Sequence, residues 1–527
     1  MNRRTLGMLS LILLCLAGPV ASQPQEAPAQ KKTLTLTLED CILKALKNNY
    51  DLAVQVMNPE LSDIAVSLAK EKFIPSLSFN FNRQDTAQAS YSWLDAGDTT
   101  KQLRDYYTAQ LSQQIPFGGN LTVNLNETKT DTNSRFQTIN PRFETRLNFT
   151  FSQPLLRDFG WRMSQREIIV AQNNSAISEK QFTKFVQDLV YQVEEAYWNL
   201  VYGIENLKVR QQSLKLAQEL LEKNRRSVEV GTLAPIEVLN AQADVASREA
   251  DILDAQVLVK NYEDALKAVA NLAAEMPDAG DLRLIPADRP ALEKVEAGLD
   301  QAMATAIANR PDLAASHIDI QNKEFNLSYA RNQLLPDLSL TAQYWSPGVS
   351  GSQILYENND PLFGAIIGTI PGNVSQAFKD TLKFKYQNWS LGLTLSVPLN
   401  TIFSRAYAAQ ARVSLDQAVA NLKAQEQQLA LEVRIAVRGV ETNYMRVEAY
   451  RVARELAQKR LEAEEEKFRV GLSTNYFVLQ YQRDLATQQS MELKALIDYN
   501  LSLAKLDQVT GMSLKNKNIS LSDIRTR

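Results

Sequence analysis

Apolar positions along this chain follow two different periods. Leu38, Ile42, Ala45 and Leu46 recur at the spacing of one helical face. A second helix is expected from about residue 59 to 73, ended by Pro75, because proline breaks the helical ladder and crowds the residue before it. The period then drops to two. Leu77, Phe79 and Phe81 alternate with Ser78, Asn80 and Asn82, and Tyr107, Ala109 and Leu111 with Thr108, Gln110 and Ser112. Leu121, Val123 and Leu125 alternate with Thr122, Asn124 and Asn126, and Phe143, Leu147, Phe149 and Phe151 with Glu144, Arg146, Asn148, Thr150 and Ser152. Each stretch predicts a strand with one apolar and one polar face.

Residues 164–228 return to a helical pattern with no proline, roughly 95–100 Å of helix. That length implies a rod shared with neighbours rather than a compact domain. The break Glu229-Val230-Gly231-Thr232 follows. Its glycine offers the left-handed backbone that ends a helix, and Pro235 suits the first turn of a returning one. Val238, Val245, Ile252, Val259 and Leu266 then recur every seventh residue, and Ala241, Ala255, Tyr262 and Val269 fill most of the companion positions. This is a coiled-coil seam and reads as core. The long helix and its return form a hairpin with its tip at 229–233.

The plan then repeats. Ala45-Leu46-Lys47-Asn48-Asn49-Tyr50-Asp51-Leu52 parallels Ala306-Ile307-Ala308-Asn309-Arg310-Pro311-Asp312-Leu313, and Lys70, Pro75 and Leu77 parallel Arg331, Pro336 and Leu338 without a gap. Strand alternation returns at Leu338, Leu340, Ala342 and Tyr344, a long loop is expected at 345–376, and alternation resumes at Trp389, Leu391, Leu393, Leu395 and Val397. A second long helix at about 405–468, the break Arg469-Val470-Gly471-Leu472 and a return at about 476–509 complete the copy; Ser473, Thr474 and Asn475 are capping types. The expected division is a leader at 1–22, a flexible N-terminus at 23–33, a first repeat at 34–275, a linker at 276–297, a second repeat at 298–512 with its tip at 469–474, and a tail at 513–527. Duplication on this scale implies pseudo-symmetry in the assembled object.

Composition narrows the setting. Asn2-Arg3-Arg4, the apolar run 6–17 and Val20-Ala21-Ser22 read as a secretory leader cut near Gln23. Cys15 invites lipid attachment, but bulky Leu14 precedes it. Cys41 is then the only cysteine of the mature chain, so an internal disulfide is excluded. A net charge of −3 offers no surface for nucleic acid. His317 is the only histidine and no phosphate-cradling glycine loop is present, so no histidine metal cluster, catalytic triad or nucleotide cofactor is expected. Glu194-Glu195, Glu263-Asp264 and Glu464-Glu465-Glu466 lie in helical stretches and read as solvated faces or inter-helix pairs. The chain is not expected to be an enzyme.

No later stretch is long and apolar enough for a membrane helix. The strands leave two settings, a soluble sandwich or a membrane barrel. The tight turn Pro116-Phe117-Gly118-Gly119 and the long polar joins at 87–104 and 131–141 favour the barrel. Six alternating segments, four in the first half and two in the second, cannot close a barrel within one chain, and an open edge cannot face lipid. Several chains must contribute strands, with the helices continuing as a cylinder. A periplasmic coiled-coil scaffold without a pore is the competing reading; lipid-facing alternation argues against it.

This layout, its duplication and the two Val-Gly tips resemble the TolC family of outer-membrane efflux channels, over about residues 34–512. The resemblance implies a mixed α/β membrane protein: a homotrimer with one shared transmembrane β-barrel and long antiparallel helical hairpins forming a periplasmic tunnel. It implies a passive conduit for small molecules within a tripartite efflux or secretion system, docked tip-first on a periplasmic adaptor (membrane fusion) protein that joins it to an inner-membrane transporter. The same duct in a type I protein-secretion machine is the alternative. By the resemblance, Val230, Gly231, Thr232, Val470, Gly471 and Leu472 are adaptor-docking tips, and Lys467-Phe468 occupies a basic–aromatic position that Val228-Glu229 lacks in the first copy. Glu237 matches an acidic linking position in the family's closed tunnel end. Phe477 and Gln480 stand where aspartates line it, and Ser473 where an arginine stands. The implied acidic ring is absent, and Phe477 is expected to narrow the tube by apolar bulk. Familiar members supply four strands per chain, so six implies either a wider barrel or a 106–129 hairpin outside the sheet.

Overall fold

The structure, a computed structural model, describes residues 33–90, 97–134, 137–274, 282–399 and 402–525. The expected leader, most of the flexible N-terminus and residues 276–281 of the linker lie outside them. The chain opens with β1 (Thr33–Leu36), α1 (Leu38–Asn48) and α2 (Tyr50–Glu71). Strands β2 (Ser76–Ala89), β3 (Thr99–Gln114), β4 (Asn120–Thr132) and β5 (Ile139–Pro154) follow. One helical turn, α3 (Trp161–Ser164), leads into the hairpin of α4 (Arg166–Glu229) and α5 (Ile236–Val269). After β6 (Arg283–Pro286) come α6 (Leu299–Asn309), α7 (Pro311–Asn332), β7 (Asp337–Tyr356), β8 (Ile366–Ile370), α8 (Val374–Leu382) and β9 (Asn388–Ser396). The hairpin of α9 (Ile402–Arg469) and α10 (Asn475–Thr510) and the short α11 (Ser513–Asn516) and α12 (Leu521–Arg525) complete it. The duplication is visible in lengths: α1 and α6 have 11 residues each, α2 and α7 have 22, α4 and α9 have 64 and 68, and α5 and α10 have 34 and 36.

Two elements differ from the sequence reading. The helix expected to start at about residue 59 begins at Tyr50, because the Asn49 side chain caps it by accepting from the Leu52 N–H at 2.9 Å. Pro59 sits inside it, buried, and packing along α4 holds the helix across the missing hydrogen bond. The stretch 345–376, expected to be a loop, contains the upper half of β7, all of β8 and the start of α8. Pro347 and Gly348 pair with Arg146 and Thr145 of β5. Among the described residues no strand covers the other edge of β7 between Trp345 and Gln353, and proline is tolerated at such an edge.

One sheet carries the order β2-β3-β4-β5-β7, with β9 along the lower part of β7 and β8 at its upper end. The β3–β4 hairpin is inside the sheet, between β2 and β5. Each chain therefore brings six strands to the level of β9. A second, parallel pair, β1 with β6, lies beside the middle of α4. The largest core is there: Phe182, Val186, Val190, Val193, Tyr197 and Leu200 of α4 bury against Cys41, Ile42 and Ala45 of α1, Leu284 of β6, Ile497 of α10 and Leu514 of α11. This knot clamps the long hairpins partway down α4. Glu194 is buried in it against Lys517 at 2.7 Å, and burial pushes its carboxyl above the ordinary range despite that partner.

Candidate functional site

The sheet presents one continuous apolar band. Leu77, Leu111, Val123, Phe149, Tyr344 and Trp389 are successive cross-strand partners. The neighbouring row on the same face is Leu121, Phe151, Ala342 and Leu391. The opposite face carries Asn80, Thr108, Asn126 and Arg146 in one row. Leu77, Phe79, Phe81, Trp389, Leu391, Leu393 and Leu395 are all exposed.

The band slides across the register in a way that measures the strand tilt. On β2 the apolar run centres on Phe79, and on β9 on Leu393; in register these lie six residues apart. Six residues are about 20 Å along a strand, and the five inter-strand spacings add about 24 Å sideways. A level belt therefore inclines the strands by about 40°, inside the ~35–45° range of membrane barrels. A sandwich has no reason to stagger its core in this way.

Both hairpins turn by the same backbone device. Gly231 and Gly471 adopt φ of 76° and 80°. The Thr232 N–H donates to the Ser227 carbonyl at 2.9 Å, and the Leu472 N–H to the Lys467 carbonyl at 2.8 Å. Inside each of these, the glycine N–H donates to Val228 or Phe468, at 2.9 and 3.1 Å. This closure satisfies the last carbonyls of the helix and needs a left-handed residue after its end. Val230, Val470 and Leu472 are left 73%, 64% and 79% exposed, and Thr232 is exposed beside them.

The two tips touch through Glu237. Its carboxylate accepts from the Asn475 side-chain amide at 3.4 Å. Thr474 stands at the N-cap of α10 but makes no side-chain cap bond. Ser473 instead donates to Glu464 at 2.5 Å, and Lys467 does so at 3.1 Å. These bonds, Ser473 first, hold the Glu464 carboxyl below its ordinary range. Phe468 packs inward against a cluster of Leu220, Leu461, Val478, Leu479 and Leu485, with the Lys223 ammonium 5.2 Å from its ring centre. Phe477 is exposed beside Tyr476 and Tyr481, with ring centres 5.6 and 6.3 Å away, and Gln480 is exposed one turn on.

One cluster was missed by sequence reasoning. Arg248 and Asp244 of α5 are buried, with the guanidinium Nε 2.7 Å from the carboxylate. Arg248 also donates to the Ser213 carbonyl at 2.7 Å and to the Leu479 carbonyl at 3.3 Å. Arg483 of α10 donates from Nε to the same Asp244 at 2.6 Å. Burial lowers the Arg248 pKa and the Asp244 charge opposes that shift. The signal was present: Arg248 occupies the one companion position of the seam left without an apolar residue.

Two helices also carry a second, outward seam. On α5, Ile236, Leu239, Ala243, Ala246, Ala250, Leu253 and Val257 alternate by threes and fours and are exposed. On α9, Leu431 and Ile435, and then Met445, Ala449, Val452 and Leu456, are exposed at the same spacing, with Arg438 and Thr442 at the two seam positions between them. The inner seams of these helices are already filled, since α5 packs on α4 and α9 on α10.

Comparison with known proteins places this geometry. The family model for outer membrane efflux proteins matches residues 120–272 and 288–512. The chain is 26% identical over 363 residues to outer membrane protein TolC of Vibrio cholerae, covering 68% of this chain and 75% of that protein. It is 23% identical over 480 residues to outer membrane efflux protein BepC of Brucella suis, covering 91% and 86%. The fold matches the Campylobacter jejuni CmeC outer membrane channel with a TM-score of 0.62 at 15% identity, over 92% of this chain and 90% of that one. On the matched family model, the staggered belt and the duplicated hairpins, the chain belongs to the outer membrane efflux protein family, as a TolC-type channel of the outer membrane with a helical extension in the periplasm.

Proposed function

We propose that three copies close one passive conduit for small molecules, barrel above and helical tunnel below, and that the tips both dock an adaptor and constrict the tube. The staggered belt carries this reading. Its edges are β2 on one side and β9 on the other, both without a further strand partner among the described residues. Three sets of six strands give about eighteen, a size that leaves an aqueous lumen. The outward seams extend the argument below the membrane. The long helices run α5, α4, α10, α9 across the protomer, so α5 of one copy meets α9 of the next and two exposed heptad faces cover each other.

At the tips, Val230, Gly231, Thr232, Val470, Gly471 and Leu472 form the adaptor-facing surface, through which an inner-membrane transporter is reached. Glu237 with Asn475 ties one hairpin to the other, and Phe477 and Gln480 present themselves for the constriction. Lys467 acts through Glu464, and Phe468 by packing. The cargo is chosen mainly by the inner-membrane transporter.

Single-channel current across a planar lipid bilayer tests this, with wild type beside Glu237→Ala and Phe477→Ala. Discrete steps that grow in the variants support a tube closed at its tips. Equal steps keep the channel and remove the constriction from these residues. Silence in all three, with insertion confirmed, overturns the conduit and favours a scaffold without a pore.

A further inference from the structure

Among the described residues, one helix lies on the lipid-facing side of the barrel. α8 lies against β5 and β7 on the same face as the apolar belt. The Thr381 and Thr145 hydroxyls are 2.5 Å apart and buried. A Cβ on Gly348 would stand 2.1 Å from the Ala377 carbonyl and 2.5 Å from the Thr381 hydroxyl, so glycine is what lets the helix sit flush on the wall. Phe384, just past its end, stacks on Phe149 and Tyr344 of the belt at 6.4 and 5.8 Å. On β5 the level belt centres at about residue 150–151, and Thr145 lies roughly five to six residues beyond that centre on the side away from the periplasmic helices, about 14 Å higher at the tilt derived above. That is just past the half-height of an apolar band about 25 Å tall, where the headgroup layer begins.

What α8 turns outward suits that layer. Lys379 and Lys383, one turn apart, are exposed, as is Lys385. The nearby acidic group, Asp380, is buried and already bound by Lys385 at 3.1 Å and Gln376 at 2.9 Å. Below the lysines Tyr386 and Trp389 are 50% and 75% exposed, the residue types that mark a membrane interface. Two ammonium groups with no acidic partner among the described residues, and a third shared one, therefore stand just above an aromatic girdle.

We propose that α8 is an interfacial helix of the outer leaflet and that Lys379, Lys383 and Lys385 bind the phosphate groups of an anionic lipid headgroup there. Each lysine close to an anionic membrane surface strengthens binding about fivefold. The belt's orientation in the membrane is taken from the family fold; the lysine site is a separate claim.

Native mass spectrometry of the full assembly, titrated with a diphosphorylated glucosamine lipid and with its dephosphorylated form, tests it. Wild type is expected to retain the phosphorylated lipid at least about tenfold better. A Lys379→Gln/Lys383→Gln/Lys385→Gln variant should lose that preference, and the triple arginine variant should keep it, because the phosphate is held by charge. Millimolar inorganic phosphate should not displace the lipid, since the acyl chains share in binding. Equal retention of both lipids by wild type, an unchanged preference in the glutamine variant, or displacement by free phosphate overturns the proposal. Failure of the protein to enter vesicles at all would instead count against the barrel, so the two failures are distinguishable.

Discussion

Replacing Asp244 by alanine strikes the most enclosed ionic cluster near the tips. The change removes the carboxylate that Arg248 meets at 2.7 Å and that Arg483 shares. Deleting one partner of a buried pair costs about 3–5 kcal/mol, chiefly because the other charge is left without compensation. Two features lower that figure here. Arg248 keeps its bonds to the carbonyls of Ser213 and Leu479, and Arg483 is more than half exposed, so it can turn to water. We expect about 2–4 kcal/mol, confined to the lower hairpins. Removing both charges behaves differently. Asp244→Ala with Arg248→Met leaves an apolar seam position where the repeat calls for one, and most of the loss should return. Native-state hydrogen exchange is the suitable assay, because an assembled channel does not unfold in one step. Amides near Asp244 and Arg483 should exchange roughly 30- to 1000-fold faster in the single variant, while those of the Tyr197 knot stay unchanged. Additive losses in the double variant, or no change in the single one, would refute the reasoning.

Three further outcomes follow from the same geometry. Leu393→Arg on the belt should cost about 2–4 kcal/mol in vesicle refolding, whereas Asn124→Arg on the opposite face should refold normally and shift ion selectivity. Glu464, held below its ordinary pKa by Ser473 and Lys467, stabilises the second tip above the usual carboxylate range, and that contribution is lost as pH falls through its lowered pKa; exchange around Ser473 should quicken on acidification in wild type, while Glu464→Gln is already fast at neutral pH and nearly flat. Leu253→Glu combined with Ile435→Glu places like charges on the two outward seams, and size-exclusion chromatography with light scattering should find protomers where wild type runs as the assembly.

The elements legible in advance were those with a strong local signal. Alternation at Leu77–Phe81 and Trp389–Leu395 and the seven-residue repeat from Val238 to Leu266 each name a face, and faces decide where an element sits. The tips were legible because glycine after a long helix has a backbone reason to be there. The upper half of β7 was not, since Pro347, Gly348 and Gly351 carry loop chemistry and are strand only because β5 supplies a partner on one side. Pro59 misled in the opposite direction: its intrinsic cost was real, but α4 outweighed it. The Asp244–Arg248–Arg483 cluster needed three helices brought together, and its only trace in sequence was a charge where a seam wanted an apolar side chain.

The outward seams bear on how such a chain reaches its native state. It exposes 32776 Å², against about 19,000 Å² for a compact protein of 59.2 kDa. Large exposed apolar side chains stand in two orders, heptad positions on α5 and α9 and a staggered band on the sheet. Neither order improves the isolated chain; a heptad face without a partner only invites association, and an apolar band in water invites aggregation. Both make sense if covering them is the last step of folding, by neighbouring copies below and lipid above. The knot around Tyr197 needs neither, since its partners all lie within one chain. A protomer would then form that knot first, with its hairpins loosely held and its strands unclosed. Separating the assembly should free the tips and the sheet edges well before it disturbs α1, β1 and β6.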